Sequence, residues 1–214
     1  MIHSKVAKVT FSLLAVWFVV SLSLSALHVF QNNQATIGIS VAIAATVPLV
    51  FFAAWFAASK RFREFTESID PRYLTYSQSW RILGFVFVIL QGYGILPSLF
   101  ASPAGYGDMF IGLTAPFIAL KFARDGRRGS FIFWQFLGIA DLVSAVGLGT
   151  TARLLSPQAP SMLPMTILPL SMIPTFLVPL FLIFHVISIR NARRWSTQPP
   201  LRTADASQPI RLPA

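Results

Sequence analysis

Residues 131–152 read FIFWQFLGIADLVSAVGLGTTA, an apolar run that a single acid, Asp141, interrupts. A membrane-crossing helix needs ~20 mostly apolar residues, because hydrocarbon offers a bare backbone no hydrogen-bond partner. This stretch has that length, and five others share its character. The six predicted spans are residues 9–30, 36–58, 82–101, 106–122, 131–152 and 167–189. We therefore predict an all-α integral membrane protein, built as a bundle of six transmembrane helices.

The basic residues indicate how this bundle is oriented. If the N-terminus is cytoplasmic, sixteen of the seventeen Lys and Arg residues fall in inner segments and only Arg153 falls outside. Cytoplasmic loops carry such an excess, so both termini are predicted inside. The net charge of +10 is divided among short clusters at span ends. That pattern favours contact with anionic lipid head groups over nucleic acid, which requires a continuous basic surface.

The first apolar run could instead be a cleaved signal peptide, since Lys5 and Lys8 precede it. It exceeds the ~7–15 residues of a signal core and contains Trp17, which favours a retained span. The chain has no cysteine and only three histidines, without close ligand spacing. We therefore predict no disulfide, no metal site and no cofactor.

We divide the chain into a membrane domain, residues 1–194, and a disordered cytoplasmic tail, residues 195–214, which is rich in proline and polar residues. The inner loop 59–80 is too short for a soluble core of its own. Within it, Phe62, Phe65 and Ile69 recur at helical spacing until Asp70 and Pro71 stop the pattern. This predicts a short interfacial helix whose simplest role is anchoring.

Prolines interrupt the last span. Six of them lie between residues 157 and 179, at positions 157, 160, 164, 169, 174 and 179. Proline inside a helix removes a hydrogen bond, so we predict that the last helix is kinked or broken. Alternatively, residues 161–171 lie at the interface and the span begins near Pro174. Broken helices often line cavities, but proline kinks are also purely architectural.

Two acids, Asp108 and Asp141, lie within predicted spans. Their surroundings are alike, GYGDMFIG at 105–112 and GIADLVSA at 138–145, with small residues on the face that carries the acid. Small residues let transmembrane helices pack closely. An intramembrane acid marks a proton, cation or substrate pathway, or it is a neutral group that hydrogen-bonds across the bundle.

The predicted spans place these acids at different depths. Asp108 lies near the outer end of its span, whereas Asp141 is ~15 Å from the inner end of its own. They are not expected to meet unless the fourth helix begins earlier or shifts in depth. By depth, Asp108 is paired with His28, and Asp141 with Gln91 or Tyr93. The candidate pathway residues are thus Asp141, Asp108, Gln91, Tyr93 and His28.

The GYGD sequence at 105–108 resembles the Gly-x-Gly-Asp motif of intramembrane aspartyl proteases. In those families the second acid comes earlier in the chain, whereas Asp141 follows, and no segment matches their Pro-Ala-Leu motif. A broader resemblance rests on PAGYGD at 103–108, GLTAP at 112–116, GIADLV at 138–143 and IPTFLVP at 173–179. With these motifs the chain resembles small bacterial multi-spanning membrane proteins of uncharacterised function. That resemblance implies a bacterial inner-membrane location and no activity.

From these observations the leading functional hypothesis is a small transporter or permease-like protein for an unknown small solute, with intramembrane Asp residues at its centre. The alternative is a non-catalytic membrane scaffold or assembly factor, and the remote alternative is the aspartyl protease. No catalytic residue is predicted. A chain of this size could form a homo-oligomer, although no span carries a dimerisation motif that packing within one chain would not explain.

Overall fold

A computed structural model of the chain describes residues 2–31, 38–124, 126–155 and 158–195, and within these residues the fold is entirely helical. The α-helices are α1 (Ile2–Ala26), α2 (Ile39–Ala58), α3 (Lys60–Ser68), α4 (Pro71–Ser77), α5 (Phe85–Gly92), α6 (Ser98–Lys121), α7 (Arg128–Leu155) and α8 (Val178–Ala192). Four stretches are long and apolar enough to cross a membrane, namely Lys5–Ala26, Ile39–Ala58, Arg128–Ala152 and Ile173–Ala192. Except for Trp195, the predicted tail lies outside the described residues.

The predicted amphipathic helix after α2 is confirmed as α3. Ser59 separates the two helices, and its side chain accepts a hydrogen bond from the backbone N–H of Phe62. Arg63 donates to the carbonyls of Phe56 and Ala57, at 2.9 and 2.7 Å, and so satisfies the last turn of α2. Phe62 is buried and stacks on Trp55 with ring centroids 4.0 Å apart. The apolar face of α3 is thus packed against α2.

One helical run extends from α4 to α5, residues 71–92, with a 3₁₀ helix, Gln78–Gly84, at its centre. Asp70 caps it by accepting from the N–H of Arg72, and Pro71 occupies the first turn. Because a 3₁₀ helix has three residues per turn, every third side chain falls on one face. That face is buried and consists of Gln78, Arg81 and Gly84.

The helix boundaries in this region differ from those of the predicted third and fourth spans. The predicted span 82–101 crosses a turn at Gly94, which has the positive φ (68°) that glycine tolerates and which follows the end of α5. The next helix, α6, begins at Ser98 rather than near residue 106. The start of α6 was predicted too late because the first half of the helix contains Pro103 and small polar residues, which lower its hydrophobicity.

The last element is broken by its prolines, as predicted. A 3₁₀ helix, Leu163–Thr166, is followed by a non-helical segment and a π-helical turn, Ile173–Leu177, before α8 begins. These bounds agree with the alternative in which the helix starts near Pro174. Pro179 cannot donate to the carbonyl of Thr175, and the indole of Trp17 in α1 donates to it instead, at 3.3 Å.

The buried core collects the helix ends into two groups. Ile111, Ala115, Phe131, Trp134 and Ala192 pack where α6 ends, α7 begins and α8 ends. At the opposite end, a second cluster joins α5 and the start of α6 to the end of α7 and the segment before α8; it comprises Phe87, Leu96, Phe100, Ala101, Ala104, Ala152, Met162 and Met165. Helices α6 and α7 are therefore antiparallel neighbours that span the distance between the two clusters.

Candidate functional site

Arg81 lies in the interior of the helix bundle, with its side chain 1% exposed. Its Nε donates to Asp108 Oδ1 at 2.7 Å, and one Nη donates to Asp141 Oδ2. The other Nη lies 3.3 Å from the carbonyl oxygen of Gly138 and 3.3 Å from His185 Nε2. A single guanidinium therefore joins α6, α7 and α8 to the 3₁₀ helix.

The two acids are level in the bundle, because each lies the same number of residues from the end that α6 and α7 share. Asp108 is thirteen residues before Lys121, the last residue of α6, and Asp141 is thirteen residues after Arg128, the first residue of α7. Both lie ~20 Å from the same end of an antiparallel helix pair. The condition attached to the prediction, an earlier start of the fourth helix, is therefore met, and Asp108 and Asp141 both bond to the guanidinium of Arg81.

The donor and acceptor of each hydrogen bond beyond Arg81 follow from the chemistry of the side chains. Arginine only donates, so the Nε2 of His185 must accept, and the proton of a neutral imidazole then sits on Nδ1. That nitrogen is 2.5 Å from Gln135 Oε1, which can only accept. The amide nitrogen of Gln135 in turn donates to Thr75 Oγ1 at 2.9 Å. A directed series of bonds therefore runs from Arg81 through His185 and Gln135 to Thr75, all of them buried.

Glycines make room for these polar side chains. A Cβ on Gly107 would collide with the carboxylate of Asp141, and a Cβ on Gly138 would collide with the ring of His185. A Cβ on Gly112 would lie 2.8 Å from the carbonyl carbon of Arg81, so this glycine lets α6 approach the 3₁₀ helix. The small-residue strips noted in the sequence thus serve close packing, and they deliver the acids to the guanidinium.

The other predicted site residues lie apart from the acids. Gln91 accepts from the hydroxyl of Ser102 at 2.6 Å, Tyr93 is 79% exposed beyond the end of α5, and His28 is exposed with a φ of 58°. Within the described part of the chain, none of the three makes a hydrogen bond to Asp108 or Asp141. The proposed pairs of Asp108 with His28, and of Asp141 with Gln91 or Tyr93, are therefore wrong, because Arg81 occupies both carboxylates.

Sequence reasoning missed Arg81 as the partner of both acids, since it was counted as an inner-loop charge beside an apolar run. One signal was available: the helix-start pattern of Asp70 and Pro71. A continuous helix counted from Pro71 to Gly92 places Arg81 in its middle rather than at its edge.

The charged groups of the site are one guanidinium and two carboxylates. Among the described residues, no three His, Asp or Glu side chains are placed to hold a metal ion. One cation faces two carboxylates, and a neutral histidine bonds to the same cation. If both acids are ionised, the group carries one negative charge in excess. Protonation of one carboxylate, or binding of one monovalent cation, would make it neutral.

Comparison with known proteins locates the site within a family. Residues 36–193 match a family described as a domain of unknown function (DUF8737), and this range contains every residue of the Arg81 network. No curated protein and no solved structure matches the chain.

Proposed function

The chain belongs to this family of unknown function, DUF8737, and we propose that it is a small proton- or cation-coupled transporter of permease type. Its coupling site is Arg81 with Asp108 and Asp141. The single observation that carries the proposal is the second carboxylate, because one acid alone would neutralise the buried guanidinium.

An excess charge at this depth has a definite cost. Insertion of one charged group at the centre of a membrane costs ~2.5–3.5 kcal/mol, so the extra carboxylate is stable there when it holds a proton or a cation. The carboxyl side chains of Asp108 and Asp141 are each 15% exposed, whereas Arg81 is 1% exposed. The part of the site that can exchange a proton is thus also the part that other molecules can reach.

This function requires a membrane location, for which we propose six crossings. The surfaces of α1 and α2 expose large apolar side chains, such as Phe11 at 66% and Val47 at 57%, as lipid-facing helices do. The predicted inner ends of α6, α7 and α8 meet in one cluster, and the predicted outer ends of α6 and α7 meet in the other. Because Arg81 is buried in the bundle, it is not counted among the charges at the membrane surface. Of the other sixteen basic residues, fifteen fall on the cytoplasmic side of the predicted topology. We place both termini in the cytoplasm and the protein in the bacterial inner membrane.

The broken last element adjoins the site. Its π turn, Ile173–Leu177, immediately precedes α8, which carries His185. On the 3₁₀ helix, the side-chain amide nitrogen of Gln78 donates to the backbone carbonyl of Phe181 in α8. The side-chain Oε1 of Gln78 is buried without a protein partner. A shift of α8 would therefore change contacts to both Arg81 and Gln78. Helix breaks beside charged groups are typical of alternating-access transporters.

A scaffold function is the second candidate, and one observation favours it. Arg81 bonds to groups on three neighbouring helices, and glycines leave room for these contacts, as a permanent structural link between helices requires. In a scaffold the carboxylates of Asp108 and Asp141 would not exchange protons with the surroundings, whereas in a coupling site they would.

The protease alternative is weaker in this geometry. Aspartyl proteases activate water between two carboxyl groups that share a proton. Here the guanidinium of Arg81 lies between Asp108 and Asp141 and bonds to both.

Carbodiimide labelling of native membranes between pH 5 and 9, with mass spectrometry to assign the modified residue, tests the proposal. We expect Asp141 or Asp108 to be modified, with labelling that fades as pH rises, because the reagent requires a protonated carboxyl. Asp141→Asn leaves Arg81 its bond to Asp108, so the fold is expected to persist. Glu64→Gln, at an exposed acid, is the matched control. Absence of labelling on either acid at every pH, in folded protein, refutes coupling and favours the scaffold.

Transport itself requires a second measurement. In proteoliposomes loaded with a pH-sensitive dye, mixtures of small organic solutes should drive proton movement through the wild type and Glu64→Gln. Asp141→Asn should abolish it while its circular dichroism is unchanged. Equal proton movement in Asp141→Asn would contradict the assigned role.

A further inference from the structure

A groove of about 450 Å³ lies beside α8 and extends to its end, and no residue of the Arg81 network lines it. Helices α2 and α7 both pack on α8, and the groove runs between them. Its walls are apolar and include Phe52 of α2, Phe136 of α7 and Val186 of α8. Phe136 and Val186 are 50% and 47% exposed, so this wall is open towards the lipid side of the helices.

The mouth of the groove is basic. The arginines that line it are Arg190, Arg193 and Arg194. Among the residues that the structure describes, the acid that contacts them is Glu67, which lies 3.1 Å from Arg190 and 2.7 Å from Arg194. Among the described residues Arg193 has no acidic partner. Three guanidinium groups against one carboxylate leave an excess of two positive charges where an apolar slot meets the polar interface.

A buried acceptor adjoins these charges. Asn191 is 6% exposed and lines the groove. Its amide nitrogen donates to the carbonyls of Thr66 and Ile69, at 3.1 and 2.8 Å, which fixes the side chain. Its Oδ1 is buried without a hydrogen-bond partner in the protein. An unpaired buried acceptor costs ~1–3 kcal/mol, so a ligand that brings a donor is favoured here.

We propose that this groove binds one anionic phospholipid with a hydroxylated head group, of the phosphatidylglycerol type. An acyl chain lies along the apolar wall, the phosphate meets Arg193 and Arg190, and a glycerol hydroxyl donates to Asn191 Oδ1. The chain's own residues 196–214 are a poorer occupant by charge, because they carry Arg202 and Arg211 against the single acid Asp205. This inference does not depend on transport.

The test is lipid retention measured by native mass spectrometry on delipidated full-length protein in detergent. Phosphatidylglycerol should be retained as one molecule per chain and phosphatidylcholine much less. Phosphatidylmethanol has the same charge without the head-group hydroxyls and should bind more weakly than phosphatidylglycerol. Soluble glycerol phosphate should not bind, since it lacks the acyl chain that occupies the groove.

Three variants distinguish lipid binding in this groove from non-specific attraction of lipid to basic residues. Arg193→Gln should weaken phosphatidylglycerol binding about fivefold, the value for one basic residue worth ~1 kcal/mol near an anionic surface. Arg61→Gln makes the same charge change at another exposed position and should have little effect. Val186→Trp fills the groove from an exposed position and should reduce retention of every lipid.

The results of these experiments distinguish a phospholipid in the groove from a free phosphate or the chain's own residues 196–214. Equal retention of phosphatidylcholine and phosphatidylglycerol, or equal losses in Arg193→Gln and Arg61→Gln, overturns the proposal. Unchanged retention in Val186→Trp also overturns it. Glycerol phosphate binding as well as the intact lipid would show a phosphate site and not a lipid site. Deletion of residues 196–214 that increases retention severalfold would show that the tail occupies the groove instead.

Discussion

Replacement of Arg81 by methionine is the sharpest test of the charge network. Methionine matches the stem of arginine as far as Nε and carries no charge, so the variant leaves Asp108 and Asp141 facing each other without a cation. It also removes the bonds to the Gly138 carbonyl and to His185. Breaking a buried ion pair by removing one partner costs ~3–5 kcal/mol, because the other charge stays buried and unpaired. We expect a loss of this size in the free energy of unfolding.

Unfolding can be followed by titration with a denaturing detergent and by the fluorescence of the five tryptophans. Arg72→Met is the matched control, since Arg72 is exposed and its pair with Asp70 is a surface ion pair, worth ~0–1 kcal/mol. The triple variant Arg81→Met, Asp108→Asn, Asp141→Asn contains no buried charge and should recover most of the loss. If Arg81→Met were no worse than Arg72→Met, or the triple variant no better than Arg81→Met, the buried network would not be the ionic structure described above.

Two further predictions concern packing and orientation. Gly138→Ala places a methyl group against the ring of His185 and should lower the free energy of unfolding by ~1–3 kcal/mol. Gly147→Ala meets open space and should be neutral or slightly stabilising. Equal effects of the two variants in detergent unfolding would contradict the packing of Gly138 on His185. Because the chain lacks cysteine, single reporters test the topology in intact cells: Asn33→Cys should react with an impermeant maleimide and Arg127→Cys should not, and the reverse pattern would overturn the orientation.

Much of the helical content could be predicted from local pattern. Helix α3 follows from the spacing of Phe62 and Phe65, and its end follows from Asp70 and Pro71. The break before α8 follows from prolines that cannot donate a helical hydrogen bond. The small strips around Asp108 and Asp141 indicated close packing, but only Gly107 faces α7 across the α6–α7 contact, whereas Gly112 faces the 3₁₀ helix and Gly138 faces His185 in α8. These features are local, so the sequence carries them directly.

The partners of the acids could not be predicted in the same way. Depth was inferred from helix ends, and an error of eight residues at the start of α6 moved Asp108 away from Asp141. Arg81 appeared to belong to a cytoplasmic loop because charge next to an apolar run normally marks a membrane boundary. His185 and Gln135 are separated by 50 residues, and only the packing of α7 on α8 brings them together.

That this chain is helical, apolar and rich in basic residues at its span ends follows from local sequence, because length, hydrophobicity and charge act on each segment separately. The burial of a basic residue between two acids follows instead from the way the helices pack. A guanidinium is stable in the interior when several helices supply carboxylates and carbonyls at hydrogen-bond distance at once. That condition depends on helix register and on the glycines that let the backbones approach, and neither is written in any single segment.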